Sequence, residues 1–450
     1  MQTSNSPESS VRREPPAAGA DHPYALFRNR NFTRYITGRV ASTVGSQMLT
    51  VAVDWELYQR THSALALGFV GLALMVPMVV CTLPAGHVAD TFNRKSIILA
   101  STLLLAASSL GLALISLLNA PVAWIYACLV VVGVARTFVW PASAAFLPNL
   151  VAREQFPRAV TFNSGAFQLS SVLGPAAGGL FYAATGHAWF IYLLNVLASL
   201  TFFLLVMTIP HQHKRADRPP TTFRTLVAGF NFVYENKIIL GTLSLDMFAV
   251  LLGGAVSLLP IFAGDILQSG ADGLGLLRAA MPIGAVLCAL WLTHRPPLQK
   301  AGRAMLWSVA IFGMATILFG VGNPACLGRW LTLDHLPNVC WFWFAFAMLA
   351  LSGAVDNISV VVRQTLVQIL TPDEKRGRVS AVNSLFIGTS NELGGFESGL
   401  VAWLGGPAIG HTVANGAIFS VVTGGVGTIL VVIAVAKIWP EIRRLFLGFR

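Results

Sequence analysis

The chain has 450 residues, of which 55% are hydrophobic and only 11% are charged, and its mean hydropathy is +0.68. Soluble domains average about 25% charged residues, so this composition excludes an ordinary soluble protein and predicts an integral membrane protein. The net charge of +11 does not indicate a nucleic-acid partner, because the basic residues lie mainly in every second loop. Five scattered cysteines favour neither a disulfide framework nor a metal site, although a bridge between Cys326 and Cys340 stays open.

Residues 1–30 are predicted to be a disordered cytoplasmic tail, because the first 22 are rich in Ser, Pro and Glu and contain no apolar run. Twelve segments after this tail have the roughly 20 mostly apolar residues that a membrane-spanning helix needs. The predicted spans lie at about 33–58, 65–85, 96–118, 122–147, 159–183, 189–209, 238–263, 273–293, 303–322, 340–370, 379–403 and 412–437. The predicted fold class is therefore an all-α membrane protein with twelve transmembrane helices.

A stretch at 210–237 divides these spans into two sets of six. It is rich in His, Lys, Arg and Pro, and we interpret it as a cytoplasmic linker between an N-terminal half at 31–209 and a C-terminal half at 238–437. An internal repeat supports two pseudo-symmetric halves, because the segment from Arg158 aligns without a gap with the segment 220 residues later. Lys and Arg accumulate in cytoplasmic loops, so both termini, including a basic tail at 438–450, are predicted to be cytoplasmic.

Charged side chains inside the spans are the main candidates for a functional site, because each costs about 2.5–3.5 kcal/mol on insertion scales. In the first span, a polar stripe with helical spacing runs from Arg39 to Asp54, and the tenth span has a similar stripe from Ser352 to Arg363. Other charges lie in the fourth, seventh and eleventh spans. The candidates for binding a proton or substrate are Arg39, Asp54, Arg136, Asp246, Asp356, Arg363, Glu392 and Glu397.

Two interpretations of these charges stay open. A carboxylate in a partly dry cavity binds a proton more readily than one in water, so the acids are candidates for carrying a coupling proton. The arginines are candidates for holding an anionic substrate or a neighbouring acid. Alternatively, the charges form structural ion pairs, such as Asp356 with Arg363 about two turns away, or Arg39 with an acid in a loop.

The run GHVADTFNRK at 86–95 separates the second and third spans and resembles the pattern GxLaDRxGRR of the major facilitator superfamily of transporters. Four residues fit this pattern, namely Gly86, Asp90, Arg94 and Lys95. Thr91 and Asn93 depart from it, because an Arg and a Gly are usual there. Together with the segments WELYQRTHSALALG and TPDEKRGRVSAVNSLF, the run makes the chain similar to the enterobactin-exporter-like branch of this superfamily.

The resemblance implies the major facilitator fold, with a central cavity lined by the first, fourth, seventh and tenth spans and a cytoplasmic gate loop at 86–95. A GPxxGG run in the fifth span also resembles the end of a motif associated with drug and proton antiporters. Close helix packing explains the same glycines equally well, with glycines of the eleventh span as the expected partner surface. The residues assigned to packing are Gly174, Pro175, Gly178, Gly179, Gly394 and Gly399.

The predicted function is secondary active transport, with proton-coupled export of a siderophore or drug-like molecule from a bacterial inner membrane. The chain is expected to work as a monomer in the lipid bilayer, driven by the proton gradient and without a cofactor or metal. An importer on the same fold is the nearest alternative, followed by a membrane receptor or enzyme. The sequence has no Walker Gly-Lys pair, no HExxH and no GxSxG, so an enzyme has no support.

Overall fold

The computed structural model describes residues 25–210, 223–295, 299–333, 335–408 and 412–445. Within these ranges the chain consists of α-helices joined by short turns. The helices are α1 Arg30–Thr61, α2 Ala64–Thr91, α3 Arg94–Leu117, α4 Ala123–Phe146, α5 Phe156–Thr185, α6 Ala188–Met207, α7 Phe223–Glu235, α8 Lys237–Leu252, α9 Leu259–Ile261, α10 Gly270–Thr293, α11 Ala301–Val321, α12 Asn338–Leu370, α13 Asp373–Ala408, α14 Val413–Ile438 and α15 Pro440–Arg443. Of the tails predicted at 1–30 and 438–450, residues 1–24 and 446–450 lie outside the described residues.

The predicted seventh span at 238–263 falls within a candidate membrane span at Lys237–Ile266, but this span is not one continuous helix. Helix α8 ends at Leu252, and the chain continues through the 3₁₀ turn Ala255–Leu258, the short α9 and the π turn Phe262–Ile266. The break falls at the pair Gly253 and Gly254, because glycine costs about 1 kcal/mol relative to alanine inside a helix. The broken segment contacts α1 of the N-terminal half through α9.

The run at 86–95 is also wrong as a loop. Gly86 lies in the last turns of α2, which continues to Thr91, and α3 begins at Arg94. The connection is therefore two residues long. Its second residue, Asn93, accepts a hydrogen bond from the backbone N–H of Lys95 at 3.0 Å, which caps the start of α3.

Nine helices in the described ranges are long and apolar enough to cross a membrane, by length and composition. Helices α1, α5 and α13 are 32, 30 and 36 residues long, yet they fall outside this set. They are the more polar helices, and α1 and α13 carry several of the charges described below. Such charges are tolerated in a membrane protein when they face other helices rather than lipid.

The long helices pack in two groups with the same pattern of neighbours. In the N-terminal group, α1–α6, helix α1 packs on α5 and α6, α3 packs on α4 and α6, and α2 packs on α4. In the C-terminal group, α8 and α10–α14, helix α8 packs on α13 and α14, α11 packs on α12 and α14, and α10 packs on α12. Two helix pairs join the groups along their length, α2 with α13 and α5 with α10.

The two groups share a hydrophobic core at one end of the bundle. This closed end, where α1 ends and α10 begins, contains one buried cluster with residues of both groups, including Leu57, Phe262 and Leu274. The opposite end, called the termini end, has separate buried clusters. One contains Tyr35 and residues of α3, α4 and α6, and others contain residues of α8, α11–α14 and the linker helix. The packing therefore holds the groups together mainly at the closed end.

The linker predicted at 210–237 contains a helix. Residues 211–222 lie outside the described part of the chain, and α7 packs on α13 and α8. A Cβ atom on Gly229 of α7 would lie 3.0 Å from the carbonyl oxygen of Arg378, so glycine permits this close approach. Cys326 and Cys340 are free thiols, so the bridge considered between them is not formed.

Candidate substrate and proton site

An ion pair joins the two helix groups near the closed end. Asp54 of α1 accepts a hydrogen bond from the Arg278 guanidinium of α10. The Asp54 side chain is 7% exposed and that of Arg278 is 19% exposed, so both are largely withdrawn from solvent. Asp54 lies seven residues before the end of α1, which places it about 10 Å below the closed end.

Two more charges complete what we call the four-charge cluster, made of Asp54, Arg136, Arg278 and Glu392. Arg136 interacts electrostatically with the charges of Glu392 and Arg278. Glu392 interacts in the same way with Arg136, Arg278 and Asp54. Each helix group supplies one acid and one arginine, from α1 and α4 on one side and α10 and α13 on the other. Each group's share of the cluster is formally neutral, and the Asp54–Arg278 ion pair is the contact that separation of the groups would break.

Helix packing fixes the position of the cluster. Gly133, one turn before Arg136, lets α4 approach α2, since a Cβ atom there would lie 3.1 Å from the carbonyl oxygen of Leu74. On α13, the backbone of Glu392 lies directly against Gly71 of α2. Arg136 and Glu392 thus belong to two helices that both pack closely on α2, and each lies near the middle of its helix.

A second ion pair lies within the C-terminal group. Asp246 of α8 pairs with Arg363 of α12, and these residues are 7% and 2% exposed. The suggested pairing of Arg363 with Asp356 is wrong, because the partner comes from the neighbouring helix rather than from the same one. This pair connects two helices of one group, so relative movement of the groups leaves it intact.

The substitution Asp246→Asn is expected to lower the thermal stability of the purified protein, because it leaves the buried Arg363 without a counter-charge. Removing one partner of a buried pair typically costs about 3–5 kcal/mol, whereas replacing both by apolar residues is often neutral. The double variant Asp246→Leu with Arg363→Met is therefore expected to melt near the wild-type temperature. Melting curves that fall further in the double variant would contradict a purely structural pair.

The other predicted site residues form no hydrogen bond or ion pair with the four-charge cluster in the part of the chain that the structure describes. Arg39 donates a hydrogen bond to the Tyr35 hydroxyl at 2.9 Å near the termini end, and it forms no ion pair with the acids whose side chains the structure describes. The Ser398 hydroxyl donates a hydrogen bond to the Glu397 carboxylate at 3.4 Å. Asp356 is half-buried, and it makes no hydrogen bond or ion pair with the residues that the structure describes.

The residues predicted to form the gate are placed at the termini end. The Lys95 ammonium donates hydrogen bonds to the carbonyl oxygens of Met207 and Ile209 at 2.8 and 2.7 Å, which satisfies the last turn of α6. Arg94 begins α3 and is partly exposed. The side chain of Asp90 is outside the described set, so its role as a gate residue stays a prediction.

The glycines of α5 make two close contacts. Gly174 and Gly178 lie against α1, where a Cβ atom on Gly178 would be 2.9 Å from the Met48 Cα. Gly179 faces the other group, and a Cβ atom there would be 2.8 Å from the Cα of Gly275 on α10. Pro175 lies within the same run, and its carbonyl oxygen faces Gly275.

The expected pairing of the α5 glycines with Gly394 and Gly399 is wrong. Gly399 instead packs on Gly68 of α2, because a Cβ atom on Gly399 would lie 2.6 Å from the Gly68 Cα. Gly394 packs on Leu251 of α8. The physical reason is the pattern of neighbours, in which α5 meets α10 and α13 meets α2. Two equivalent small-residue seams therefore join the groups, one on each side of the four-charge cluster.

A model of the family described as "Transmembrane secretion effector" matches residues 21–438. The chain belongs to this family, within the major facilitator superfamily of transporters. The chain is 27% identical over 414 residues to the Enterobactin exporter EntS of Escherichia coli O1:K1 / APEC, covering 92% of each protein. The protein of the same name from Shigella boydii serotype 18 (strain CDC 3083-94 / BS512) matches equally. These relatives are transporters rather than enzymes, and this chain is a multi-pass membrane transporter.

Solved structures support the same fold for this major facilitator protein. The nucleoside transporter NupG superimposes with a TM-score of 0.70 at 14% identity, covering 91% of this chain and 99% of NupG. A bacterial homologue of the lysosomal transporter Spinster, in an inward-facing and unoccupied conformation, gives a TM-score of 0.67 at 14% identity, with 93% and 98% covered. At this level of identity the likeness concerns the fold alone.

Several residues at the closed end of this transporter were not predicted from the sequence. The Tyr58 hydroxyl of α1 donates to the carboxylate of Asp265 in the π turn at 2.5 Å, which makes a second polar contact between the groups. Glu56 pairs with Arg60 at 2.5 Å and accepts a hydrogen bond from Tyr192 at 2.6 Å. Arg278 is the most informative omission, because a lone arginine in the apolar eighth span was a visible signal.

Groups of three or more His, Cys, Asp or Glu side chains suited to a metal ion do not occur in the described ranges. The arrangement at the cluster is instead suited to charge exchange. A carboxylate can exchange an arginine partner for a proton, and a guanidinium can exchange a carboxylate partner for an anionic ligand.

Proposed function

We propose that the chain is a proton-coupled exporter of a small organic molecule in a bacterial inner membrane. The observation that carries this proposal is the four-charge cluster, to which each helix group contributes one acid and one arginine. When the groups rock apart at the closed end, the Asp54–Arg278 pair must break. A proton on the carboxylate or a ligand on the guanidinium then compensates the separated charges, which couples the movement to transport.

The export direction is supported by the relatives. The family is described as one of secretion effectors, and the relatives that match nearly the whole chain are named as exporters of enterobactin. The proposed substrate class is correspondingly a siderophore or drug-like molecule. The coupling acids are Asp54 and Glu392 of the cluster, and the proton gradient supplies the energy without a cofactor.

The proposed topology has twelve spans in two halves, with both termini in the cytoplasm. The two helix groups repeat one pattern of neighbours, and this supports counting the more polar α1, α5 and α13 as spans. With this orientation the closed end faces the periplasm, so the conformation described above is inward-facing.

Labelling of Cys340 tests the orientation. Cys340 is exposed at the start of α12 on the closed end, whereas Cys81, Cys128 and Cys288 lie within helices. A membrane-impermeant maleimide is expected to label intact spheroplasts through Cys340, and Cys340→Ser should remove this signal. The variant Cys326→Ser serves as the matched control for the neighbouring thiol. Labelling of Cys340 in inverted vesicles alone would place the closed end in the cytoplasm.

Flux through vesicles tests the function. Everted inner-membrane vesicles that contain the chain are energised, and a fluorescent weak base reports their pH gradient. Siderophores and drug-like compounds, enterobactin among them, are added one at a time. An exported substrate is expected to dissipate the gradient as protons leave with the opposite flux, and vesicles with Asp54→Asn are expected to lose this response.

The same compounds distinguish export from import. An importer that moves its substrate together with protons acidifies right-side-out vesicles when a substrate is added outside, and it gives no response in the everted preparation. Flux of a labelled substrate that persists after the gradient is collapsed would reject proton coupling while leaving transport established.

A further inference from the structure

Of the two arginines in the four-charge cluster, Arg136 is the one without a direct partner among the described residues. Asp54 and Arg278 form an ion pair, but Arg136 makes no hydrogen bond or ion pair with any residue that the structure describes. It is half-buried near the middle of α4, with the charges of Glu392 and Arg278 nearby but beyond ion-pair distance. A guanidinium offers five N–H donors in a planar fork, and these match a carboxylate, sulfonate or phosphate group.

An aromatic ring accompanies this guanidinium on the side of the termini end. Trp140 lies four residues after Arg136, so the two side chains share one face of α4. The indole is 66% exposed, and it lies closer than Arg136 to the end where the groups have separate cores. A ligand that enters from the termini end would meet the ring before the charge.

Arg278 supplies a second positive charge from the opposite helix group. Its charge acts on Arg136, so the two guanidiniums raise the local potential together. Asp54 holds Arg278 in the present conformation, as an anionic ligand would hold it. An anion that bound between the two arginines would compete with Asp54, because both would use the same donors.

We propose that Arg136 and Arg278 form the binding site for an anionic aromatic molecule, with Trp140 stacking on its ring and Asp54 as the exchangeable occupant. This inference rests on the proposed function and specifies its substrate class. Binding of the anion frees Asp54 from Arg278 and so removes one of the contacts that hold the closed end together. The empty carrier keeps this contact, which limits opening without a substrate.

A matched pair of fluorescent probes tests the site. 8-Anilino-1-naphthalenesulfonate is an anionic aromatic, and N-phenyl-1-naphthylamine is its counterpart without the sulfonate. Both are titrated into the full chain in lipid nanodiscs, with empty nanodiscs subtracted. Arg136→Gln is expected to weaken binding of the anionic probe by about tenfold or more and that of the neutral probe by less than about twofold. Arg303→Gln, at the exposed start of α11, is the control and is expected to change neither.

The variant Asp54→Asn supplies an opposite expectation that misfolding cannot imitate. It releases Arg278, so the anionic probe is expected to bind about threefold to tenfold more tightly. Equal affinity for the anionic probe in wild type and Arg136→Gln would overturn the proposal. Weaker anion binding in Asp54→Asn, or an equal loss of both probes in Arg136→Gln, would also overturn it.

Failure of the site and failure of the proposed function give different results. Vesicles without any substrate-dependent proton flux, together with the expected probe pattern, reject coupled export and keep the anion site. Full substrate flux in Arg136→Gln vesicles, together with unselective probe binding, rejects the anion site and keeps the exporter.

Discussion

The substitution Arg278→Gln is expected to destabilise the purified protein by about 3–5 kcal/mol, the usual cost of leaving one member of a buried ion pair alone. Its partner Asp54 is buried, so the substitution leaves an uncompensated carboxylate inside the protein. The substitution removes an ion pair between the two helix groups, so the closed end is expected to open more often. Thermal melting in detergent measures the first effect, and labelling of closed-end cysteines measures the second.

A double variant provides the control for this prediction. Asp54→Asn with Arg278→Gln removes both charges, keeps a hydrogen-bonding pair of similar size and is expected to recover most of the lost stability. Transport should remain impaired in this variant, because no charge is left to exchange. A double variant as unstable as Arg278→Gln alone would show that Arg278 acts through packing rather than through Asp54.

Helix positions could be predicted from the sequence because burial in lipid requires long apolar runs, and these are local signals. The first span was predicted at 33–58 and observed as α1 Arg30–Thr61, and most other spans agree as closely. Errors arose where the end of a helix does not coincide with a change in hydrophobicity. Gly253 and Gly254 break α8 within an apolar segment, and α2 continues through its polar last turns to Thr91.

The partners of the charged residues could be predicted far less well. Spacing along one helix suggested that Arg363 pairs with Asp356, whereas the observed partner is Asp246, 117 residues earlier in the chain. The partner of Arg278 could not be predicted in this way, because Asp54 belongs to the other helix group. Such pairs depend on which helices become neighbours, and a single sequence carries no periodic signal of that choice.

The two small-residue seams explain how the helix groups stay together without a large shared core at the termini end. In a membrane, helices gain little from the hydrophobic effect, so close approach of backbones supplies much of the attraction. Gly179 with Gly275 and Gly399 with Gly68 provide this approach on opposite sides of the four-charge cluster. The seams lie toward the closed end, as expected for surfaces along which the groups rock.

The substitution Gly179→Val is expected to shift the protein away from the closed-end conformation and to abolish most of its transport. A Cβ atom at this position would lie 2.8 Å from the Gly275 Cα, so the new side chain forces α5 and α10 apart. Overpacking of this kind typically costs about 1–3 kcal/mol, and here the cost falls on one conformation only. Spin labels at positions 184 and 272, on the closed-end termini of α5 and α10, are expected to show a longer distance.

Gly165 supplies a matched control on the same helix, because a Cβ atom there meets no other atom within 4 Å. Gly165→Val introduces the same side chain into α5 with the same cost in helix propensity, yet it leaves the seam untouched. Its spin-label distances and substrate flux are expected to match the wild type. If Gly165→Val and Gly179→Val behave alike, the effect lies in α5 itself, and the seam with α10 does not control the closed end. A shift confined to Gly179→Val instead makes the contact with Gly275 the surface on which the two helix groups turn.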